Sequence, residues 1–230
     1  MSASCLDLLD HLHGSVSVVG SMNVDYTVVT ERLPKPGETV NGGPLTLLPG
    51  GKSANQASAA ARIGAQVRMF GAVGEDTNAD FLLEHLRDAG VDTSHIAAVA
   101  GPSGTTVITV DANGENTIVY SAGSNGEVSV DYVRQSSDAL VAADVLGLCL
   151  ESPMETVTAC ARLCHDAGLK VLLNDSPFVA ELPAELIELR TFCWSMNMKW
   201  HSCWTSPSLT MTIGMDWTGL MWRGRCMTSA

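Results

Sequence analysis

Hydrophobic residues between positions 15 and 190 follow two periods that alternate along the chain. Short apolar runs rich in β-branched residues are typical of buried strands, whereas apolar residues that recur every three or four positions indicate helices. The predicted strands cover residues 15–29 (with a break at Gly20), 66–72, 105–111, 117–121, 145–150 and 170–174, and the predicted helices cover residues 52–64, 78–89, 131–142, 154–167 and 183–189. This alternation predicts an α/β fold, with a Rossmann-like, mostly parallel sheet and helices on both of its faces.

Two extended stretches, near residues 25–48 and 105–121, do not fit the alternation of strands and helices. The second stretch carries Asn113 and Gly114 between two β-rich runs, and Asn-Gly is a strong signal for a tight hairpin. We therefore expect these stretches to form a small separate β-sheet that acts as a lid.

The composition changes abruptly near Arg190. The last 40 residues hold all five tryptophans and six of the ten methionines, but their only acidic residue is Asp216. This segment follows neither the helical nor the strand period. We therefore divide the chain into an amino-terminal extension (1–14), an incomplete α/β domain (15–190) and an aberrant Trp/Met-rich tail (191–230). The alternative is that the tail is a genuine interaction segment.

The genetic code can test whether the tail is read in the original frame, because Met and Trp each have a single codon. When the third base of each codon is read with the first two bases of the next, Met196–Asn197 and Met198–Lys199 give Glu, and Trp200–His201 gives Ala. The codons from Phe192 onward permit the shifted reading Leu-Leu-Val-Asn-Glu-(His or Tyr)-Glu-(Met or Val)-Ala-x-Leu-Leu-Asp. This reading is typical of a buried strand, a turn and the start of an acidic helix. We interpret the tail as out of frame.

Charge and cysteine content narrow the class of partner. A net charge of −12 argues against nucleic acid or an anionic membrane as the main partner. We find no charged segment followed by an apolar run that would indicate a signal peptide, and the most apolar stretch, 140–150, is interrupted by Asp144. The seven cysteines are irregularly spaced, which predicts reduced thiols and a cytoplasmic protein. Cys160, Cys164 and His165 share part of a helix face, but without a second ligand pair we do not predict zinc.

A glycine-rich segment, Pro49-Gly-Gly-Lys-Ser-Ala-Asn-Gln56, stands at the entrance to the first long helix. Adjacent glycines allow the backbone to approach a ligand, and a helix N-terminus offers unpaired N–H groups to oxygen atoms. The segment is not a Walker A loop, because that pattern needs glycine at the position of Thr46. Taken alone, the segment is better interpreted as a structural turn, with Asn55 as an ordinary helix residue.

Polar residues also follow several predicted strands. Asn23 and Asp25 lie two apart after the first strand, Glu151 ends another, and residues 174–176 follow the next. Ligand-binding groups of open α/β sheets lie at the carboxyl ends of the strands, so these side chains are candidates to bind a polyol. Each is also compatible with a capped turn.

Six motifs together are similar to the ribokinase branch of the PfkB carbohydrate kinase family over residues 15–190. They are Gly20-Ser-Met-Asn-Val-Asp25, Leu33-Pro-Lys-Pro-Gly-Glu-Thr39, Gly50-Gly-Lys-Ser-Ala-Asn-Gln56, Gly71-Ala-Val-Gly-Glu-Asp76, Gly123-Ser-Asn125 and Leu150-Glu-Ser-Pro153. The resemblance implies a cytoplasmic kinase that transfers the γ-phosphoryl group of ATP to D-ribose, giving ribose 5-phosphate. It implies sugar binding by Asn23, Asp25, Gly51, Lys52, Ser53, Ala54, Asn55 and Glu151. Pro49 and Ser53 depart from the usual family pattern, so fructose and nucleosides stay open as substrates.

The resemblance also implies groups that residues 1–230 do not supply. The family's catalytic Asp lies in a Gly-Ala-Gly-Asp segment, which is absent from this sequence, so we assign no catalytic residue and expect the chain to be inactive. Mg²⁺, ATP and a monovalent cation are implied for the intact enzyme, and the shifted reading contains the family's Asn-x-x-Glu motif for Mg²⁺ and phosphates. The family also implies a homodimer formed through the lid. A non-catalytic sugar-binding or interaction protein remains the alternative from a different class.

Overall fold

Two β-sheets organise residues 14–194, the part of the chain that the computed structural model describes. Residues 1–13 of the predicted amino-terminal extension and most of the predicted tail lie outside the described residues. The larger sheet has six parallel strands in the order β10-β9-β8-β1-β4-β5. Its strands are β1 (Ser15–Val19), β4 (Gln66–Val73), β5 (Asp92–Ala98), β8 (Val145–Leu148), β9 (Lys170–Asn174) and β10 (Phe192–Trp194).

Helices cover both faces of this sheet. They are α1 (Lys52–Arg62), α2 (Thr77–Asp88), α3 (Val130–Gln135), α4 (Ser137–Val141), α5 (Met154–Asp166) and α6 (Ala184–Leu189). Val18 belongs to a core shared with α1 and α2, whereas its neighbour Val19 belongs to a core shared with α5 and α6. Successive residues of a strand point to opposite faces, so the two cores lie on opposite sides of the sheet. The predicted α/β architecture is therefore confirmed.

The smaller sheet is the predicted lid. It consists of β2 (Asn23–Val29), β3 (Thr46–Gly50), β6 (Gly104–Val110) and β7 (Asn116–Ser121), in the order β3-β2-β6-β7. β2 and β6 are parallel, and the other two pairs are antiparallel. The hairpin between β6 and β7 turns at Gly114, whose φ of 85° favours glycine.

The boundaries differ from the sequence prediction at β5, in the helix predicted over 131–142, and at β10, which lies in the segment predicted to follow no strand period. The strand β5 was not predicted, because Asp92–Ala98 is a partly exposed edge strand with few large apolar residues. The helix predicted over 131–142 is two short helices that meet at Ser136. The break predicted at Gly20 is confirmed, because the chain leaves the large sheet at Gly20 (φ 143°) and enters the lid. Within residues 14–194, no helix combines the length and the apolar character required to cross a membrane.

Candidate functional site

The connection from β1 to β2 is packed against the start of α1. Gly51 has a φ of 96°, and a Cβ there would lie 2.6 Å from the Ser21 carbonyl oxygen and 2.8 Å from Met22 Cα. The Ala54 amide donates to the same Ser21 carbonyl at 3.1 Å. Only glycine fits this close approach, so Gly51 brings the helix entrance and the first residues of the lid together.

Asn23 begins the lid strand β2 and is almost completely buried. Its Oδ1 accepts a hydrogen bond from Asn125 Nδ2 at 2.7 Å. Asn125 also accepts from the Met22 amide at 3.0 Å and donates to the Met22 carbonyl at 3.2 Å. Gly104 leaves the space for this contact, because a Cβ there would overlap both asparagine side chains. Asn125 thus fixes the orientation of Asn23.

Asp25 lies two residues further along β2, with its carboxylate against Gly50 and within reach of Thr106. The Thr106 hydroxyl donates to Asp25 Oδ1. Burial raises the pKa of Asp25, the hydrogen bond from Thr106 opposes this rise, and the nearby charge of Glu151 adds to it. Asp25 is therefore a desolvated acceptor close to a second acidic side chain.

Glu151 follows β8 and meets Lys52 at the start of α1. Lys52 Nζ lies 2.5 Å from Glu151 Oε1, and the Lys52 amide donates to Oε2 at 3.2 Å. The Ser21 hydroxyl also donates to Oε2. The Glu151 side chain is only 7% exposed and the Lys52 side chain is 36% exposed, so the carboxylate lies inside the site and the ammonium group at its rim.

The lid contributes Tyr120, which sequence analysis did not identify. Its hydroxyl donates to the Glu151 carbonyl at 3.4 Å and accepts from Asn125 Nδ2 at 3.5 Å. Burial, together with the charge of Glu151, raises the pKa of Tyr120 to about 12, so the phenol is neutral at physiological pH. Asp25, Thr106 and Tyr120 occupy one row across three lid strands. The lid therefore presents a polar row to the edge that carries Glu151.

Three of the predicted site residues point elsewhere. Ser53 is fully buried; its hydroxyl donates to the Val19 carbonyl at 3.2 Å and lies 2.9 Å from Cys149 Sγ. Ala54 packs in the hydrophobic core, and the Asn55 side chain is exposed. The contribution of these residues to sugar binding stays a prediction. Ser53 and Ala54 would contribute through their backbone groups and through the small size of their side chains.

Comparison with known proteins identifies the family. The sequence matches the pfkB family of carbohydrate kinases over residues 14–192. The chain belongs to this family. It is 36% identical over 178 residues to ribokinase from Bacillus subtilis, which covers 77% of the chain and 60% of the relative. It is 34% identical to deoxyribokinase from Salmonella typhi, over 73% of the chain and 55% of the relative.

Solved pfkB-family structures have the same fold. The structure of Arabidopsis thaliana ribokinase complexed with ribose and ATP superposes with a TM-score of 0.71 at 29% identity, covering 80% of this chain and 60% of that one. The chain therefore spans about 60% or less of the length of these relatives.

The Mg²⁺ that pfkB-family membership implies does not fit the described residues. Within residues 14–194, no three His, Cys, Asp or Glu side chains are grouped as metal ligands. Asp25 is engaged by Thr106, and both oxygens of Glu151 are engaged by Lys52 and Ser21. The described part of this family member thus offers neutral and charged hydrogen-bonding groups suited to a polyol, and no metal site.

Proposed function

We propose that this chain carries the sugar-binding half of an ATP-dependent kinase that converts D-ribose to ribose 5-phosphate. The observation that carries the proposal is the meeting of Asp25, Glu151 and Lys52 at the boundary between the lid and the large sheet. Carboxylates in a desolvated pocket bind sugar hydroxyls well, because each oxygen accepts charge-assisted hydrogen bonds. The ribokinase relatives and the ribose and ATP in the Arabidopsis structure support the same chemistry.

The hydrogen bonds that the side chains already make determine which of their atoms can bind the sugar. Asn23 Oδ1 is engaged by Asn125, so Asn23 offers its Nδ2 as a donor to a sugar oxygen. Asp25 offers acceptors for sugar hydroxyls, and Glu151 offers a further acceptor when the Lys52 ammonium group moves toward the sugar. Tyr120 encloses the same space from the lid side. These groups orient the sugar and exclude water around it.

Phosphoryl transfer itself requires groups that we assign to other parts of an intact enzyme. A base must accept the proton of the attacking hydroxyl, and donors must stabilise the charge on the transferred group. We propose that Mg²⁺-ATP, a monovalent cation and the Asp of a Gly-Ala-Gly-Asp segment provide these functions there. We also propose that residues 1–230 alone do not phosphorylate ribose. A coupled assay with Mg²⁺-ATP and ribose should give the rate of an enzyme-free control, and turnover above that rate would contradict the proposal.

The out-of-frame tail belongs to the same proposal. The codons of Phe192 to Ser195 permit Leu-Leu-Val in the shifted reading, at the position of the parallel strand β10. The shifted reading would therefore keep a strand at this position, and we propose that the frame changes near residue 190. Sequencing the locus tests it: a continuous downstream frame encoding Gly-Ala-Gly-Asp is expected, and an ordinary gene ending would instead favour a non-catalytic sugar-binding protein.

D-ribose is the proposed sugar, and 2-deoxy-D-ribose is the second candidate because a deoxyribokinase is among the relatives. A ligand stabilises the protein that binds it in proportion to the logarithm of its concentration above Kd. Thermal melts of this chain with D-ribose, 2-deoxy-D-ribose, D-fructose and adenosine therefore rank the candidates. Stabilisation by ribose above all others is expected, and stabilisation by adenosine or fructose alone would reassign the substrate.

We also propose that two copies of the chain pair through the lid. Three exposed apolar side chains form one cross-strand row on the lid, namely Leu47, Val107 and Val119. Exposed apolar patches of this kind are typical of protein interfaces.

The cytoplasmic location expected from the cysteine pattern remains a prediction.

A further inference from the structure

A line of buried polar side chains runs beneath the proposed sugar site and ends on Glu151. Ser53 Oγ donates to the Val19 carbonyl at 3.2 Å and lies 2.9 Å from Cys149 Sγ. Cys149 Sγ lies 3.7 Å from Ser21 Oγ, and the Ser21 hydroxyl contacts Glu151 Oε2. Ser53, Cys149 and Ser21 have no solvent exposure, so only Glu151 brings this line to the site.

The direction of the Ser21 hydrogen bond follows from the chemistry of its partner. A hydroxyl has a single proton to donate, and a carboxylate can only accept. The Ser21 proton is therefore directed at Glu151 Oε2. The Ser53 proton goes to the Val19 carbonyl, which leaves the Cys149 thiol to donate to either serine oxygen. A buried hydroxyl that donates to a carboxylate holds its partner more rigidly than a group that can turn to water.

The other side-chain partner of Glu151 is less constrained. Lys52 Nζ contacts Oε1 from the rim of the site, on a long side chain that is about one-third exposed. Ser21 contacts Oε2 from a fully buried position on the chain segment that leads from β1 into the lid. The buried contact therefore sets the direction of the carboxylate, and the exposed one can exchange with a ligand.

We infer that Ser21 is a positioning residue, which orients the Glu151 carboxylate toward the sugar without touching the sugar itself. This inference rests on the proposed function, since it assigns Ser21 a role in the same sugar site. This role distinguishes Ser21 from a buried serine without a contact to the site, such as Ser17, whose loss would affect stability alone.

Calorimetric titration of the full chain with D-ribose tests the inference, and the chain offers a matched control. Ser17, in the strand β1 that precedes this segment, is also a fully buried serine, and its hydroxyl donates to the Leu140 carbonyl at 2.9 Å, away from the site. Hydrogen bonds to charged groups contribute more than neutral ones, so Ser21→Ala should raise the Kd for ribose about tenfold. Ser17→Ala should lower the Tm comparably while leaving the Kd within about twofold of the wild type.

A double-mutant cycle separates positioning from structure. If Ser21 acts through Glu151, Ser21→Ala should have no further effect on the Kd for ribose when Glu151→Ala is already present. Equal effects of Ser21→Ala in both backgrounds would overturn the inference. So would an unchanged Kd for Ser21→Ala in the wild-type background.

Two further results complete the test. If Ser21→Ala does not unfold cooperatively, Ser21→Cys takes its place, because a thiol of similar shape is a much weaker donor; it should also weaken ribose binding, and wild-type affinity would overturn the inference. A wild-type chain that binds none of D-ribose, 2-deoxy-D-ribose, D-fructose and adenosine would overturn the proposed function together with this inference. If the wild-type chain binds ribose and the Ser21 variants have the same Kd for ribose, the inference alone would be overturned.

Discussion

The carboxylate of Asp25 lies directly against the backbone of Gly50, across the β2–β3 pair. A Cβ at Gly50 would come within 2.6 Å of Asp25 Oδ1, closer than such contacts occur in proteins. The same oxygen accepts the Thr106 hydroxyl, which holds the carboxylate in this space. The first glycine of the Gly-Gly-Lys segment therefore makes room for an acidic side chain, in addition to any contact with ligand.

Replacing Gly50 should disturb Asp25 more than it disturbs the fold. Gly50→Ala places a methyl group where the carboxylate lies, so Asp25 must turn away from Thr106. We expect the Kd for D-ribose to rise at least about tenfold, because this corresponds to the loss of one charge-assisted hydrogen bond. Gly43→Ala is the control, because a Cβ there meets no atom closer than 3.6 Å. Equal ribose affinity of the two variants in calorimetry would show that Gly50 has no such role.

The raised pKa of Asp25 predicts a stability cost in the unliganded chain. A carboxyl group whose folded-state pKa lies above its unfolded value binds protons more tightly in the native state. Stability is therefore lost as the pH rises from the unfolded pKa through the folded one. Asp25→Asn removes this cost and keeps an oxygen for the Thr106 hydroxyl. Its Tm at pH 7 should exceed the wild-type Tm by about 2–4 °C for each kcal/mol of destabilisation that the substitution removes. This gain in Tm should vanish when the pH falls below the pKa of Asp25 in the unfolded chain. A lower Tm at pH 7, or a gain that persists in acid, would contradict this origin.

Lys52 should matter less than Asp25 for binding. Its ammonium group lies at the partly exposed rim of the site, where solvent screens its charge. After Lys52→Met, Glu151 keeps its hydrogen bonds from Ser21 and from the amide of residue 52. We expect a rise in the Kd for ribose of less than about fivefold, against at least about tenfold for Asp25→Asn. The reverse order in parallel titrations would place the main charge of the site on the lysine.

The lid gives a prediction about assembly. Val119 is 64% exposed on the outermost lid strand, and Ile63 is 50% exposed beyond the end of α1. Val119→Lys should shift a lid-mediated dimer to monomer in sedimentation velocity, because a charge would be buried without a partner. Ile63→Lys, which adds the same charge away from the lid, should leave the sedimentation coefficient unchanged. A monomeric wild type, or a dimer that survives Val119→Lys, would exclude pairing through this strand.

Hydrophobic periodicity was sufficient to predict most of the fold. The buried strands β1, β4, β8 and β9 have strong apolar runs, and the lid was recognisable from extended segments that break the alternation with helices. The pattern failed at β5, because an edge strand is half exposed and loses its apolar signal. Its position in the sheet depends on pairing with β4, which no local pattern encodes.

The site residues at strand ends could be predicted from the sequence, whereas those placed by packing between distant segments could not. Asn23, Asp25 and Glu151 follow strands, and the structure brings the segments that carry them to one edge. Asn125 was noticed only as part of a family motif, because its hydrogen bonds reach more than a hundred residues back along the chain. Ser53 stood in a binding motif, but its hydroxyl turns into the space that Gly20 leaves beneath it.

A calorimetric titration of the wild-type chain and Asp25→Asn with D-ribose, in parallel and at pH 7, tests whether the sugar binds where Asp25 lies. Because melting of Asp25→Asn verifies its fold independently, a loss of binding reports on the site alone. We expect saturable binding at one site in the wild type. We expect no saturation of Asp25→Asn at ribose concentrations that saturate the wild type. Binding of equal affinity in both proteins, or no binding by the wild type, would contradict the assignment of a sugar site to the boundary between the lid and the large sheet.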